Sequence, residues 1–174
     1  MRQQRDQKYC AVISAPPLSF PWGYDEEADG CGLLKLRMLQ EMSRLTTEGI
    51  TGFIIPLDSG VCLYAAEIVL GLQETNPALE LICVIPHEEQ ATKWTPELRE
   101  RYFNVLASST SSILISTAYT PDCEMEAVLE SIDHSEALLS IRYNEHENNA
   151  AFVVAVHYAM RHGKAIHAIG EKAP

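Results

Sequence analysis

Between Phe53 and Leu72 the hydrophobic pattern switches from strand to helix, and no other stretch restricts the fold as much. Phe53, Ile54 and Ile55 form a short unbroken apolar run. Pro56-Leu57-Asp58-Ser59-Gly60 turns the chain, and Ala65, Ile68, Val69 and Leu72 then recur at helical spacing. Strand, tight turn and helix in that order make the repeating unit of a parallel α/β sheet. The turn of such a unit lies at the carboxyl end of the sheet, where free helix N–H groups can hold an anion.

The same unit recurs along the chain. Tyr9 to Ser14 reads as a central parallel strand with both faces buried. A long loop, Ala15 to Gly30, carries Pro16, Pro17, Pro21, Trp22 and Gly23. Loops of that length in compact domains are often functional; the alternative is a surface excursion pinned by Trp22. Leu34, Met38, Met42 and Leu45 give a helix over 32–48 with one buried stripe, ended by Gly49. Strands are expected at 52–56, 79–85, 113–116, 136–142 and 165–169, with helices between them.

Thr95-Pro96-Glu97 is a helix start, with a hydroxyl cap, a first-turn proline and a carboxylate at the positive end. The helix behind it should bury Leu98, Tyr102, Val105 and Leu106. Thr120-Pro121-Asp122 repeats the capping chemistry ahead of Met125, Val128, Leu129 and Ile132. The helix over 149–162 is expected to turn Phe152, Val153, Val156 and Met160 inward, with Gly163 closing it. This alternation predicts a doubly wound, mainly parallel sheet of about six strands with helices on both faces.

One domain spanning 1–174 is expected, with 1–8 a flexible N-terminal segment. The net charge of −11 disfavours general nucleic-acid binding, which runs on clustered Lys and Arg. Five widely spaced cysteines without a CxxC or zinc pattern read as reduced thiols in a cytoplasmic protein. No stretch approaches the ~20 apolar residues needed to span a bilayer, so no membrane partner is expected. A homo-oligomer stays open.

Chemistry is expected where the loops leave the strands. Asp58-Ser59-Gly60 is either an anion cradle, with Ser59 capping the helix, or a plain cap with a turn glycine. Glu67 either points back to the pocket mouth or is a solvated helix carboxylate. His87-Glu88-Glu89-Gln90 can line the cleft, but as a metal set it lacks a distant third ligand. Trp94 and Tyr102 either stack on a base or pack helix against sheet. Arg142, Tyr143 and Asn144 end a strand on the ligand side, and Arg142 is the candidate cation for a phosphate. Cys62 has either a lowered pKa at a helix N-terminus or a buried neutral thiol. His157 and His162 do not share a face and read as surface or structural. The candidate ligand-binding set is therefore Ser14, Asp58, Ser59, Gly60, His87, Gln90, Arg142 and Asn144, with Glu67 the catalytic candidate, and neither metal nor cofactor is assigned.

Pro86, Gln90, Trp94 and Tyr102, with Ser59-Gly60 and Ala65-Ala66-Glu67, resemble the YpsA-like family of the SLOG superfamily. The likeness runs from about Tyr9 to Ile169, and Asp133-His134-Ser135-Glu136 is similar to the family's Asp-x-Ser-Asp. The resemblance implies a Rossmann-like fold related to DprA and the LOG phosphoribohydrolases. The sequence departs from the family pattern at Ser14-Ala15-Pro16-Pro17, at Val61-Cys62-Leu63-Tyr64 and at Asn148-Asn149, where the family has glycine-bearing segments. Three functions follow from the resemblance. The first is a regulatory or vestigial module binding a nucleotide or nucleotide-derived small molecule. The second is a LOG-type enzyme cleaving the N-glycosidic bond of a nucleoside monophosphate, with Glu67 or Glu145 as the carboxylate. The third is an interaction protein whose pocket is closed by Leu63 and Tyr64; the charge disfavours single-strand DNA binding of the DprA kind.

Overall fold

Six short apolar segments pair in register as parallel strands, in the order β4-β3-β2-β1-β5-β6. They are β1 (Tyr9–Ser14), β2 (Gly52–Pro56), β3 (Glu80–His87), β4 (Ser111–Ser116), β5 (Ala137–Asn144) and β6 (Ala165–Glu171). Between them run α1 (Asp29–Thr47), α2 (Val61–Gln73), α3 (Pro96–Ser108), α4 (Cys123–Asp133) and α5 (Ala150–Arg161). The computed structural model describes residues 6–144, 146 and 148–171. The expectation for residues 1–5 of the N-terminal segment, and the candidate carboxylate Glu145, lie outside the described residues.

The sheet is a Rossmann-like α/β fold. β1 to β4 are laid down in one direction, and right-handed crossovers put α1, α2 and α3 side by side on one face. The chain then returns across β3, β2 and β1 through α4 and adds β5 on the other side of β1. α4 and α5 pack together on the second face. β2, buried at all five positions, has the unbroken apolar run that a strand covered on both faces requires. The direction of strand addition reverses between β1 and β5, which makes that junction the switch point of the sheet.

Local rules explain most boundaries. Thr95 caps α3 by accepting from Leu98 N, and Pro96 occupies its first turn. Gly49 and Gly163 take positive φ (109° and 71°) and end α1 and α5. In both, the next residue's N–H bonds back five residues, Ile50 to Leu45 and Lys164 to Ala159, which closes a Schellman motif.

Two expectations fail. The helix expected to be capped by Thr120 starts instead at Cys123, and Asp122, which takes the cap position with a helical backbone (φ −101°, ψ −9°), makes no side-chain cap bond. Met160 on α5 is exposed; the inward face is built instead from Phe152, Ala155 and Ala159.

Candidate functional site

The turn between β2 and α2 sets the chemistry at the carboxyl edge. The helix begins at Gly60, which has no side chain to cap it, so another group must take up its first N–H groups. Asp58 does so: its Oδ1 accepts from Gly60 N at 2.8 Å and from Cys62 N at 3.2 Å. Ser59 does not cap the helix; its hydroxyl lies 3.5 Å from Tyr24 Oη, outside the turn. Burial pushes the Asp58 carboxyl above its ordinary value, against the downward pull of the Gly60, Cys62 and Leu63 N–H groups. Cys62 is no activated thiol. Burial first, and the Asp58 charge second, push it well above the usual cysteine value.

Beside this turn a hollow of about 190 Å³ brings three of the sequence candidates together: Ser14, Asp58 and Gln90. They come from the end of β1, the turn after β2 and the turn after β3, as loops leaving adjacent parallel strands should. Ser14 Oγ receives a weak bond from Cys62 Sγ (3.8 Å). Gln90 donates its amide to Leu57 O, while its Oε1 is buried with no partner among the described residues. The far wall is Glu124 and Val128 of α4. Sequence reasoning missed that wall, since it depends on α4 crossing back over the sheet; the only signal was an acidic residue opening α4.

The other candidates lie elsewhere. Arg142 lines a small hollow of about 40 Å³ with Leu33, Leu34 and Arg37 of α1. Ser14 and Asp58 share a separate hollow with Cys62 of α2 and with Glu124 and Val128 of α4. Arg142 is not among the residues that line that hollow, so it does not join them. Asn144 Oδ1 accepts from His146 N (3.0 Å), a turn-forming bond. His87 sets its ring edge-on to Tyr119 at 5.5 Å, and its Nδ1 is buried with no partner among the described residues. Glu67 is spent in an ion pair, both its oxygens accepting from Arg101 at 2.7 and 2.9 Å.

The switch point between β1 and β5 is filled by side chains. Trp22 stands over Gly30, tilted against Phe20 (5.4 Å) and edge-on to Tyr143 (5.8 Å). A Cβ at position 30 would stand 2.6 Å from the Trp22 ring, so that approach needs glycine. The long loop is pinned by this aromatic plug. Leu63 is fully buried in the core.

A third hollow, about 470 Å³, opens on the α2–α3 side and is lined by Tyr24, Ser59, Tyr64, Lys93, Trp94 and Arg101, among others. Its floor is an ion network: Arg101 pairs with Glu67 and with Glu26, and Glu26 also pairs with Lys35 (2.7 Å). Tyr64 lies between the two cations, 4.4 Å from Lys35 Nζ and 5.7 Å from Arg101 Cζ. Trp94 packs edge-on to Tyr102 at 5.1 Å. Among the described residues no group of three or more His, Cys, Asp or Glu is placed to hold a metal ion. No helix among them is long and apolar enough to cross a membrane.

The sequence matches the profile of the YspA SLOG family over residues 22–172, which is most of the chain. The protein belongs to that family. Among curated proteins it is similar to a UPF0398 protein of Halalkalibacterium halodurans, with 32% identity over 46% of this chain and 42% of that relative. It is also similar to UPF0398 proteins of Brevibacillus brevis (27% identity, 75% of this chain, 70% of the relative) and Bacillus pumilus (24%, 84% and 80%). Against the family's glycine-bearing pattern, this SLOG chain has Pro17 resting on Gly60 and a carboxylate in the helix cap. Both occupy space where a phosphate would otherwise approach α2.

Proposed function

We propose that this SLOG-family chain is a small-molecule binding module for a nucleotide-derived ligand, regulatory rather than catalytic. One observation carries the reading: Ser14, Asp58 and Gln90, supplied by three separate segments, converge on one hollow at the carboxyl edge of the sheet. Open α/β sheets bind their ligands at that edge. The unpartnered Gln90 Oε1 supports it further, since a buried acceptor without a donor costs stability unless a ligand or water satisfies it. The five buried free thiols suit a cytoplasmic protein.

The phosphoribohydrolase reading draws less support. Glu67 is held by Arg101 on both oxygens, and the α2 cradle is taken by Asp58. The interaction-protein reading has one specific observation behind it, the Phe20, Trp22 and Tyr143 plug at the switch point.

A thermal-shift screen against nucleosides, nucleotides and nucleotide sugars tests the proposal. A ligand at a hundredfold excess over its Kd adds about 2.7 kcal/mol to stability, well within such a screen's reach. Stabilisation that is lost in Gln90→Met supports the module; a screen with no stabilising member sinks it.

A further inference from the structure

The polar lining of the hollow of Ser14, Asp58 and Gln90 is rich in acceptors, set among Ile13, Leu57 and Val128. Asp58 and Glu124 bring carboxylates and Gln90 a buried carbonyl oxygen, and among the described residues that oxygen has no partner and no Lys, Arg or His lines the hollow. Arg142, the cation that could balance a phosphate, lines a separate hollow beside α1. The N–H groups that open α2 point at the Asp58 carboxylate, which accepts from Gly60 and Cys62. The ring of Pro17 covers Gly60 from the other side, 2.7 Å from where a Cβ would stand.

A phosphate entering this site would have to displace Asp58 from its own helix cap. It would then sit beside that displaced charge and Glu124, in a chain of net charge −11. Like charges at contact distance, away from bulk water, repel strongly. A ribose diol or an exocyclic amine meets the opposite situation: it brings donors to a wall of acceptors.

We infer that the ligand of this hollow is a phosphate-free, hydrogen-bond-donating nucleoside, and that the Asp58 carboxylate holds the position a phosphate would take. The inference rests on the binding-module reading above and narrows its ligand class. Asp58 then acts as a built-in discriminator, accepting nucleosides and rejecting their phosphorylated forms.

Isothermal titration of the whole chain tests this, with adenosine, guanosine, cytidine and uridine, the 5′-monophosphate of each, and inorganic phosphate. The expected result is one nucleoside binding at least about tenfold more tightly than its own monophosphate, a 1.4 kcal/mol preference, and no binding of inorganic phosphate. Asp58→Asn keeps an acceptor for the helix N–H groups but removes the charge, so the gap should shrink to about threefold or less. Glu124→Gln, on the exposed first turn of α4 and clear of the cap, should shrink it in the same direction. If circular dichroism shows Asp58→Asn unfolded, Glu124→Gln decides alone. A monophosphate binding as tightly as its nucleoside, or a gap unchanged in both variants, overturns the inference while the module stands. If neither nucleosides nor monophosphates bind, the module reading falls and this inference with it.

Discussion

Pro17 and Gly60 touch so closely that a Cβ on residue 60 would lie 2.7 Å from Pro17 Cγ. The contact ties the loop after β1 to the first turn of α2, beside the carboxylate that caps the helix. A side chain on residue 60 would meet the Pro17 ring first. The pyrrolidine ring is stiff and cannot swing aside. Gly60→Ala should therefore cost about 1–3 kcal/mol, as overpacking does. Pro17→Ala in the same chain should return most of that loss, a coupling that urea denaturation of the two single variants and the double variant measures directly. Additive single effects would mean that the loop and the helix start are independent.

Glu26 holds the same loop to α1 and α3 through Lys35 and Arg101. Burial pushes its carboxyl up, but the hydrogen bonds and charges of Arg101 and Lys35 outweigh burial and hold it below the ordinary value. A carboxyl depressed on folding contributes stability above its unfolded pKa of about 4.3 and loses it as pH falls through the folded value. Wild type should thus exceed Glu26→Gln in stability at pH 7, and the difference should close as pH falls below about 4. Partial solvent exposure screens the pairs and keeps the pH 7 difference at about 1–2 kcal/mol. A difference that does not change between pH 7 and pH 3 would show that the network gives no charge-dependent stability.

Incubation with adenosine 5′-monophosphate should release no free adenine above the buffer control. Glycosidic cleavage needs a carboxylate free to act beside the ribose, and Glu67 gives both of its oxygens to Arg101. Chromatographic detection of base that disappears in Glu67→Gln, with the variant still folded, would restore the enzyme reading.

Elements whose inward residues are bulky were readable in the sequence. Leu34, Met38, Met42 and Leu45 of α1 are all buried, and each expected strand lies within two residues of an observed one. The face of α5 was misread because its seam against the sheet uses Ala155 and Ala159, and counting large apolar side chains favours Met160 instead. α4 is read in part: the expected Ile132 is buried, and Cys123, Ala127 and Ser131 are buried beside it. In the turn after β2, Asp58 and Ser59 are both good cap residues, and only the backbone path decides between them. Strand order is non-local information, so neither the α4 wall of the hollow nor the separation of Arg142 from it could be read from spacing.

That separation gives a discriminating prediction. Were the ligand a nucleotide bridging the switch point, Arg142 would be its cation, and Arg142→Ala would abolish binding. The Trp22, Phe20 and Tyr143 plug stands at that junction, and Arg142 faces α1 across it. Gln90 instead lines the hollow on the α4 side, with a buried oxygen that a donor can satisfy. For adenosine or whichever nucleoside binds, Arg142→Ala should leave Kd within about twofold, while Gln90→Met should weaken it by about tenfold or more, the usual worth of one buried hydrogen bond. Gln90→Met also removes the bond to Leu57 O, so its melting temperature must be followed to separate a lost contact from a loosened turn. If binding survives Gln90→Met and is lost in Arg142→Ala, the ligand lies on the α1 face and the plug must open to admit it.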